Sequence, residues 1–472
     1  LNNNQPIDQC NSKSSLTILI ELLAASIVVL QIEPFSLSQE IDSTLKSMIE
    51  IVLNKMTLEK ATQIGVFGAG KLNRQRQLEN NYNSKNPLQA LSSSMSQSNM
   101  VTMPSRVILR EPGELVALNN PGFWCFMNAT LQAMFCINPL VANVFELYSS
   151  SGTTSSSHEK QSSALDIQEE KSFQHIRSAL ATTFAFLLMS KRKCITATDT
   201  LRALPKHLRD GNQQDADECA RYFIDALKSP LFNGELTRTT QCQQCQSSVH
   251  TKEPFGVLSV PMNENNIDEN ENNFETVTFA ECLKNIAEID NIQDYQCDYC
   301  NDRTLAIRSC YMSRVPKLLW LSLSRFAYVA KLNRRVKLMN RVEFSDKLDI
   351  EIDSEISNFD LAAVIVHVGK SAHGGHYYCF GRINDQWMNF NDTSIVFSRI
   401  DQVLNVGKNQ PTHTAYQLLY LRSDQYNSNL NERQKLFELI PQHLLEKIQR
   451  DNASISNQNH SSLKRSRFDD DL

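Results

Sequence analysis

The order of its periodic segments is the feature that most constrains how this chain of 472 residues can fold. Apolar residues recur at helical spacing over 175–189 and 215–227. Between there and residue 422 the chain turns to short β-branched or aromatic runs, including KLLWLSLSRF, LAAVIVHV, HYYCFGRI and AYQLLYL. Helices followed by antiparallel strands predict an α+β fold for residues 107–423.

The segments on either side of this region are less constrained. Two apolar helices are expected at 15–32 and 37–56, which makes residues 1–71 a helical remnant such as the end of a helical-repeat region. The stretch 72–106 is rich in Asn, Ser and Gln and predicts a disordered linker. One further helix is expected within 424–450, followed by a disordered tail over 451–472.

Composition bears on the partners and the compartment. A net charge of −5 gives no electrostatic footprint for nucleic acid, so we expect no nucleic-acid partner. Twelve cysteines are too sparse for a disulfide scaffold, which favours a reducing compartment, cytoplasmic and/or nuclear. The apolar run 16–32 contains Glu21 and is shorter than the ~20 residues a bilayer requires. We therefore expect a buried helix and no membrane span, with a membrane segment as the alternative.

Cys125 lies in the stretch GFWCFMNATLQ at the start of a predicted helix. Met127, Leu131 and Met134 follow at helical spacing, whereas the preceding NNPG has the composition of a turn. The macrodipole and the free N–H groups of a helix N-terminus favour a thiolate at such a position. Cys125 is therefore a candidate nucleophile, although a buried structural thiol is the commoner role of a free cysteine.

A thiolate nucleophile needs a base, and the stretch GGHYYCF places His376 after two glycines at the start of a predicted strand. Gly374 and Gly375 are expected to let a substrate backbone approach closely. His373 is the alternative base, while His367 lies within an apolar strand and is expected to be a packed core residue.

The imidazole in turn needs an acceptor that orients it. WMNFNDTSI supplies Asn391 and Asp392 about fifteen residues after His376, a distance that a hairpin returns to the same place. An Asn-Asp pair is often only a turn. If it belongs to the site, either side chain can orient the imidazole, and Asp392 can instead polarise the site that binds the oxyanion.

The stretch NNPGFWCFMNATLQ resembles the cysteine box of the ubiquitin-specific proteases, which are papain-like deubiquitinases. FDLAAVIVHVGKSAHGGHYYCFGR followed by QWMNFNDTSIVF resembles their histidine box, and QQDADE at 213–218 resembles their Q-Q-D-x-x-E segment. The resemblance covers roughly residues 115–422 in the family's order. It implies a papain-like cysteine protease fold with a helical thumb, an antiparallel β palm and zinc-bearing β fingers.

Carried over to this chain, the resemblance makes Cys125 the nucleophile and His376 the general base. It makes Asn391 the residue that orients the imidazole, with Asp392 beside it. Asn120 matches the side chain that donates to the oxyanion in this family, although next to a proline it can also be only a turn residue.

The family's substrate is ubiquitin, whose C-terminal tail carries arginines and ends in two glycines. The resemblance implies that Asp215 and Glu218 bind those arginines and that Gly375 and Tyr377 form the walls beside the scissile Gly-Gly. Acidic residues in a first helical turn are also favoured by the helix dipole alone, which is the alternative role of Asp215 and Glu218.

Two C-x-x-C pairs, Cys242 with Cys245 and Cys297 with Cys300, have the spacing that chelates one tetrahedral ion. Four sulfur ligands without an open position predict structural zinc. The long interval between the pairs exceeds that of a compact zinc ribbon, so four unrelated thiols are the alternative. The resemblance implies that the pairs lie at the tips of two extended hairpins, where such intervals are ordinary.

These motifs together predict a thiol-dependent deubiquitinase that hydrolyses the isopeptide bond after the Gly-Gly of ubiquitin on protein substrates. The chain departs from the family pattern at Phe123 and Trp124, where Asn and Thr are usual, and at Ser324, where Lys is common. The bulky pair is expected to narrow the cleft. The alternatives are a catalytically weak or inert ubiquitin-binding scaffold and a protease for a ubiquitin-like modifier.

Overall fold

A computed structural model describes residues 108–111, 113–150, 164–262, 276–284, 286, 289–329, 333–371, 374–425 and 430–469. All of them lie in the compact unit Arg106–Leu472. The helices predicted at 15–32 and 37–56, the linker predicted at 72–106 and the polar loop 263–275 lie outside the described residues. His373, the alternative base, lies outside them as well.

Nine α-helices are present in the described residues. They are α1 Cys125–Phe135, α2 Asn138–Ser150, α3 Ala164–Met189, α4 Thr198–Ala203, α5 Ala216–Leu227, α6 Phe279–Lys284, α7 Ile400–Leu404, α8 Leu430–Leu439 and α9 Gln442–Asp469. Five of them precede the long β-region, as the order of the periodic segments predicted.

The strands fall mainly in the second half of the described chain. They are β1 Ala117–Leu118, β2 Cys194–Ile195, β3 Gly234–Cys242, β4 Ser248–Phe255, β5 Val257–Pro261, β6 Thr276–Thr278, β7 Asp290–Cys297, β8 Asp302–Arg314, β9 Leu318–Ser324, β10 Phe326–Val329, β11 Arg334–Lys337, β12 Arg341–Glu343, β13 Lys347–Ile352, β14 Glu355–Val368, β15 His376–Ile383, β16 Gln386–Asn391, β17 Ser394–Ser398 and β18 His413–Arg422. The α+β class is therefore confirmed.

The main sheet has eight strands in the order β17-β16-β15-β14-β18-β9-β5, with β13 paired to β14. All its pairings are antiparallel except that of β5 with β9. Strand β9 shows how the sheet is buried: Leu318 and Trp320 pack with the helices, whereas Leu319 and Leu321 pack on the opposite face. The sheet thus separates two hydrophobic cores, and the helical core contains Cys125.

A second sheet, in the order β4-β3-β8-β7, consists of two long antiparallel hairpins that pair through β3 and β8. Most side chains of β4 and β7 are exposed or half-buried, so this sheet has little apolar core of its own. Each hairpin turn carries one C-x-x-C pair.

The C-terminal segment differs from its prediction. The single helix expected within 424–450 is two helices, α8 and α9, because Pro441 lacks the N–H that a helix interior requires. Helix α9 continues to Asp469, into the segment 451–472 that was expected to be disordered. A buried apolar stripe accounts for these helices up to residue 455, because Leu436, Ile440, Leu444 and Ile448 pack into the helical core and Ile455 is fully buried.

Within the described residues no single helix is long and apolar enough to cross a membrane. Helices α1 and α2 pass that test only together, as a broken span bent by 98°. Every residue of α1 is buried inside the protein, as expected of a core helix.

Candidate active site

Cys125 is the first residue of α1, as its sequence context predicted. Its side chain lies in the helical core and is 2% exposed. Helix α1 packs closely on β15, the strand that begins with His376: a Cβ at Gly381 of β15 would lie 2.2 Å from the Cys136 sulfur just after α1. The backbone of Tyr377 also lies close enough to the Cys125 sulfur to lower the pKa of its thiol. The fold therefore brings the thiol beside the start of the histidine strand.

The thiol of Cys125 is not stabilised as a thiolate in this state. Burial raises its pKa, the backbone of Tyr377 opposes that shift, and the charge of Asp392 adds to it. The backbone N–H groups of Phe126 and Cys125 at the helix N-terminus lower the pKa, as expected, but desolvation of the charged sulfur outweighs them. A proton acceptor close to the sulfur is required.

His376 is the candidate for this proton acceptor. Its ring is oriented by a hydrogen bond to Asn391. The His376 Nε2 atom lies 2.7 Å from Asn391 Oδ1. An amide oxygen only accepts hydrogen bonds, so Nε2 carries the proton and Nδ1 keeps the lone pair of a base. Strands β15 and β16 form the hairpin that returns Asn391 to His376, as the spacing predicted.

Asp392 does not share the imidazole with Asn391. Its Oδ2 accepts a 2.9 Å hydrogen bond from Asn120 Nδ2, and its Oδ1 accepts a 2.9 Å bond from Asn128 Nδ2. Of the two positions that the sequence left open, the structure places Asp392 next to the side chain expected to bind the oxyanion. The carboxylate orients that amide and leaves the imidazole to Asn391.

The amide of Asn120 is fixed at both of its ends. Its Oδ1 accepts from the backbone N–H groups of Gly122 and Trp124, at 3.2 and 3.1 Å, so the turn role considered for Asn120 is also present. Its Nδ2 uses one hydrogen on Asp392 and has a second one to donate. A single side chain thus shapes the turn before Cys125 and offers a preorganised donor.

Asn128 was not predicted from the sequence. It lies three residues after Cys125 on α1, which places it on a neighbouring face of the same helix turn. Its Nδ2 also lies 3.4 Å from the Asn119 carbonyl. A polar residue in a helix whose other buried residues are mostly apolar is the signal that could have identified it, since a buried amide must find partners.

Packing requires a glycine at position 375. A Cβ at this position would lie 2.3 Å from the Val368 carbonyl oxygen and 2.4 Å from His367 Nε2. Its backbone N–H donates to Gln213 Oε1 at 2.7 Å, and its carbonyl accepts from Gln213 Nε2. These two hydrogen bonds from the Gln213 side chain, which the sequence did not predict, fix the backbone of the residue that precedes His376.

The two aromatic neighbours of the site belong to the core. His367 is 3% exposed, and burial lowers its pKa to about 3, so the expectation of a packed histidine is confirmed. The Tyr377 ring is 6% exposed and packs at a tilt against His367 and Tyr416, with ring centroids 4.7 and 5.7 Å away. The backbone of Tyr377 faces Cys125, whereas the ring of Tyr377 packs inside the protein.

Asp215 and Glu218 occupy different environments. Asp215 is the N-cap of α5: its Oδ1 accepts from Asp217 N at 2.9 Å and from the Tyr416 hydroxyl at 2.6 Å, and burial raises its pKa. Glu218 is exposed and lies 3.0 Å from His207 Nε2. The helix-start role is therefore real for Asp215, while Glu218 remains accessible to a partner.

The four knuckle cysteines come together at the tips of the second sheet. The sulfur atoms of Cys242, Cys245, Cys297 and Cys300 all lie within 4.8 Å of one another. The Cys242–Cys300 and Cys245–Cys297 sulfur pairs are each 3.6 Å apart. The alternative of four unrelated thiols is thereby excluded, and the cluster has the geometry of a metal site.

Of the residues that depart from the family pattern, Phe123 and Trp124 directly precede Cys125, whereas Ser324 lies on the main sheet. Phe123 is 45% exposed, and the half-buried Trp124 packs against the helical core. Ser324 ends β9 and is exposed, while Arg325 next to it is fully buried and donates to three backbone carbonyls.

A thiol at a helix N-terminus, next to an imidazole oriented by an amide oxygen, is the arrangement of the papain-like cysteine proteases. The family model of ubiquitin carboxyl-terminal hydrolases matches residues 116–420, which is more than half of the chain. The chain belongs to this family.

Individual relatives agree with this placement. The chain is 29% identical over 311 residues to ubiquitin carboxyl-terminal hydrolase 48 of Gallus gallus, a match that covers 61% of this chain and 28% of the relative. It is 25% identical over 339 residues to ubiquitin carboxyl-terminal hydrolase 23 of Arabidopsis thaliana, covering 65% and 35%. With ubiquitin carboxyl-terminal hydrolase 42 of Homo sapiens the identity is 27% over 334 residues, covering 65% and 23%. The matches span about a third or less of each relative's length.

Proposed function

We propose that this chain is a thiol-dependent deubiquitinase that hydrolyses the isopeptide bond after the C-terminal Gly-Gly of ubiquitin on protein substrates. The observation that carries the proposal is the 2.7 Å contact of His376 with Asn391 beside Cys125, in a chain of the ubiquitin carboxyl-terminal hydrolase family. Cys125, His376, Asn391, Asp392 and Asn120 form the proposed catalytic group.

In the proposed reaction His376 Nδ1 takes the thiol proton of Cys125 as the sulfur attacks the carbonyl carbon of the terminal glycine. The C–N bond of the tetrahedral intermediate then breaks. The imidazolium gives its proton to the departing lysine amine, and a thioester remains on Cys125. Water attacks the thioester while His376 accepts a proton, which releases the glycine carboxylate and restores the thiol.

Asn120 is proposed to donate its second amide hydrogen to the oxyanion of the tetrahedral intermediate. Its fixed geometry supports this role, because a donor that is already oriented costs no reorganisation during the reaction. Asp392 and the backbone N–H groups of Gly122 and Trp124 hold the amide in that orientation.

Recognition of the ubiquitin tail is proposed to use Asp215 and Glu218 for its arginines. The support is unequal: Glu218 is exposed on the first turn of α5, whereas Asp215 already binds Tyr416 and Asp217 through Oδ1 and has only Oδ2 to offer. The narrow passage for Gly-Gly is assigned to Gly375 and to the backbone of Tyr377.

The second sheet is proposed to hold one structural zinc ion on Cys242, Cys245, Cys297 and Cys300. A tetrahedral site with Zn–S bonds of about 2.3 Å places its sulfurs about 3.8 Å apart, close to the 3.6 Å separations present here. Zinc bound by four thiolates has no open position and supplies no catalytic step. The ion would instead tie the two hairpins together.

The test is a panel of suicide probes, each a ubiquitin or ubiquitin-like modifier with an electrophile at its C-terminus, applied to the full chain. We expect the ubiquitin probe to label Cys125 and the unaltered chain to cleave a ubiquitin amide. The matched controls are Cys125→Ala, which should be neither labelled nor active, and Cys194→Ala, which should behave as the unaltered chain.

The other outcomes separate the alternatives. Ubiquitin binding without labelling or cleavage would identify an inert scaffold whose cleft is closed by Phe123 and Trp124. Labelling by another modifier and not by ubiquitin would identify a protease of that modifier. Either result would overturn the proposed function.

A further inference from the structure

The two C-terminal helices lie beyond the residues that match the family model, yet they are anchored in the catalytic domain. Residues 116–420 match the family, whereas α8 and α9 span Leu430–Leu439 and Gln442–Asp469. Their apolar stripe joins the same core as Cys125. Burial of an apolar stripe explains stability, but these helices also contribute polar contacts at specific places.

Arg433 of α8 reaches the C-terminal end of α1, the helix that begins with Cys125. Its NH1 group donates to the carbonyl of Phe135, the last residue of α1, at 3.3 Å and to Asn138 Oδ1 at 3.0 Å. Its guanidinium carbon lies 4.4 Å from the centre of the Phe135 ring. A cation at a helix C-terminus satisfies free carbonyl groups and complements the helix dipole.

A second contact of the same kind is made by α9. Asn452 Nδ2 donates to the carbonyl of Met189, the last residue of α3, at 3.1 Å, and its Oδ1 accepts from Lys191 N at 2.9 Å. Asp451 forms a paired ion contact with Arg192, with oxygen–nitrogen distances of 2.7 and 2.9 Å. The C-terminal helices thus supply partners to the ends of two helices of the family domain.

Arg433 is 8% exposed, and its contacts are a carbonyl, an amide oxygen and an aromatic ring. Burial lowers its pKa to about 10, so the side chain remains charged at neutral pH. A buried cation that is costly to desolvate and could be replaced by an apolar residue needs a specific reason to be present. Its position at the end of α1 suggests one.

The end of α1 that Arg433 holds is also the place where α1 meets the histidine strand. The Cys136 sulfur, one residue after α1, sits where a Cβ on Gly381 of β15 would be 2.2 Å away. At the other end of the same helix and strand are Cys125 and His376. A tilt or slide of α1 at the Arg433 end therefore changes the separation of thiol and imidazole.

We propose that Arg433 is a positioning residue that fixes α1 against β15 and thereby aligns Cys125 with His376. The kinetic test of this inference rests on the proposed function, because it measures cleavage of a ubiquitin amide. On this inference the helices beyond residue 425 contribute to catalysis. A chain truncated at residue 425 would lose the alignment of Cys125 with His376 as well as stability.

The experiment uses the full chain and the variants Arg433→Met, Arg433→Lys and Leu436→Ala. Methionine keeps much of the apolar volume and removes the charge and the donors. Lysine restores a cation that can reach one oxygen. Leu436→Ala is the matched control, since it removes buried volume from the same helix without touching α1 through a polar group.

At a temperature well below every melting transition, Arg433→Met should lower kcat by about tenfold with KM unchanged, because small misplacements of reacting groups are costly in rate. Arg433→Lys should recover part of that loss. Leu436→Ala should lower the melting temperature and keep kcat. The pH profile of iodoacetamide alkylation at the Cys125 peptide, followed by mass spectrometry, should shift in Arg433→Met and not in Leu436→Ala.

A wild-type kcat in Arg433→Met, or a loss of kcat in Leu436→Ala that matches its loss of stability, would overturn the inference. If Arg433→Met fails to fold, Arg433→Gln, which removes the charge and keeps an amide donor, carries the same test, and unchanged kcat and alkylation in that variant would count against the inference. If the unaltered chain cleaves no ubiquitin amide, the proposed function fails, and the alkylation profiles still decide whether Arg433 positions Cys125.

Discussion

Adjacent residues perform separate tasks at the end of β16. Asn391 is the last residue of the strand and accepts from His376, whereas Asp392 has φ 51° and turns toward Asn120 and Asn128. Left-handed backbone is readily adopted by Asp in turns, so this break in the strand redirects the side chain at little cost. The dipeptide therefore orients the proposed base with one residue and the proposed oxyanion donor with the next.

We expect Asn391→Ala to lower kcat and to move the pH profile of kcat/KM, because the imidazole loses its acceptor, while Asn391→Asp keeps activity. Asp392→Asn should lower kcat by roughly 10- to 100-fold and leave the profile in place, because it weakens the hold on an oxyanion donor. Steady-state kinetics across pH measure both effects. The control is Ser394→Ala. Ser394 is exposed and pairs with Asn391 across the hairpin. The same shifted profile in both variants would mean that the two residues share one task.

At the scale of elements, the two halves of the fold are stabilised in different ways. The main sheet is buried on both faces, and β14 contains an unbroken buried run from Leu361 to His367. The second sheet has mostly exposed edge strands, β4 and β7, and buried sulfur atoms at its tip, where Cys242 and Cys297 are 0% and 1% exposed. An element with so little apolar burial needs a crosslink to hold its shape.

Metal removal should therefore act mainly on this sheet. We expect one zinc ion per chain in untreated protein, and Cys242→Ser and Cys297→Ser should each release it and lower the melting temperature alike, since metal binding is coupled to folding. Elemental analysis and thermal denaturation measure these effects. Cys194→Ser, a half-buried thiol outside the cluster, is the matched control. Folded protein that contains no zinc would rule out this site.

At the scale of the whole molecule, one buried lysine connects segments that are far apart in the chain. Lys337 of β11 donates to the carbonyls of His367, Gly369 and Thr412, at 3.2, 2.7 and 3.4 Å. These contacts tie the end of β14, the turn before the histidine strand and the start of β18 to one ammonium group. Burial, followed by the charge of Arg325, lowers the pKa of Lys337 to about 7.

This shift predicts a pH dependence of global stability. The folded pKa of about 7 lies below the unfolded value of 10.5, so between these values the unfolded chain binds a proton that the folded chain has released. The free energy of unfolding should therefore rise with pH in this window, by at most about 1.4 kcal/mol per unit. Below pH 7 both states are protonated and this contribution is flat.

The comparison of the unaltered chain with Lys337→Met isolates the effect, since other groups also titrate in this range. We expect the difference in free energy of unfolding between the two proteins to change with pH from 7.5 to 9.5 and to stay constant from 5.5 to 6.5. Urea denaturation at each pH measures it. A difference that stays constant across the whole range would show that Lys337 keeps its proton in the folded protein.

The sequence by itself determined the class of fold and the main members of the site. Periodicity separates helices from strands, and a turn before an apolar helix places Cys125 at its N-terminus, because these signals are local. The return of Asn391 and Asp392 to His376 followed from hairpin length, while the choice of Asn391 came from the family resemblance, and the two C-x-x-C pairs predicted a cluster that the structure assembles. None of these inferences needed knowledge of distant neighbours.

Tertiary structure alone decided how the side chains share the work. The division between Asn391 and Asp392, the amides of Asn128 and Gln213, and the capping of α1 by Arg433 all depend on residues far apart in sequence. Burial of the sulfur outweighs the N–H groups that were expected to lower the Cys125 pKa, and a buried apolar stripe continues from α8 to Ile455 of α9. Desolvation and the pairing of buried polar groups depend on what surrounds an atom in three dimensions, and no local pattern carries that information.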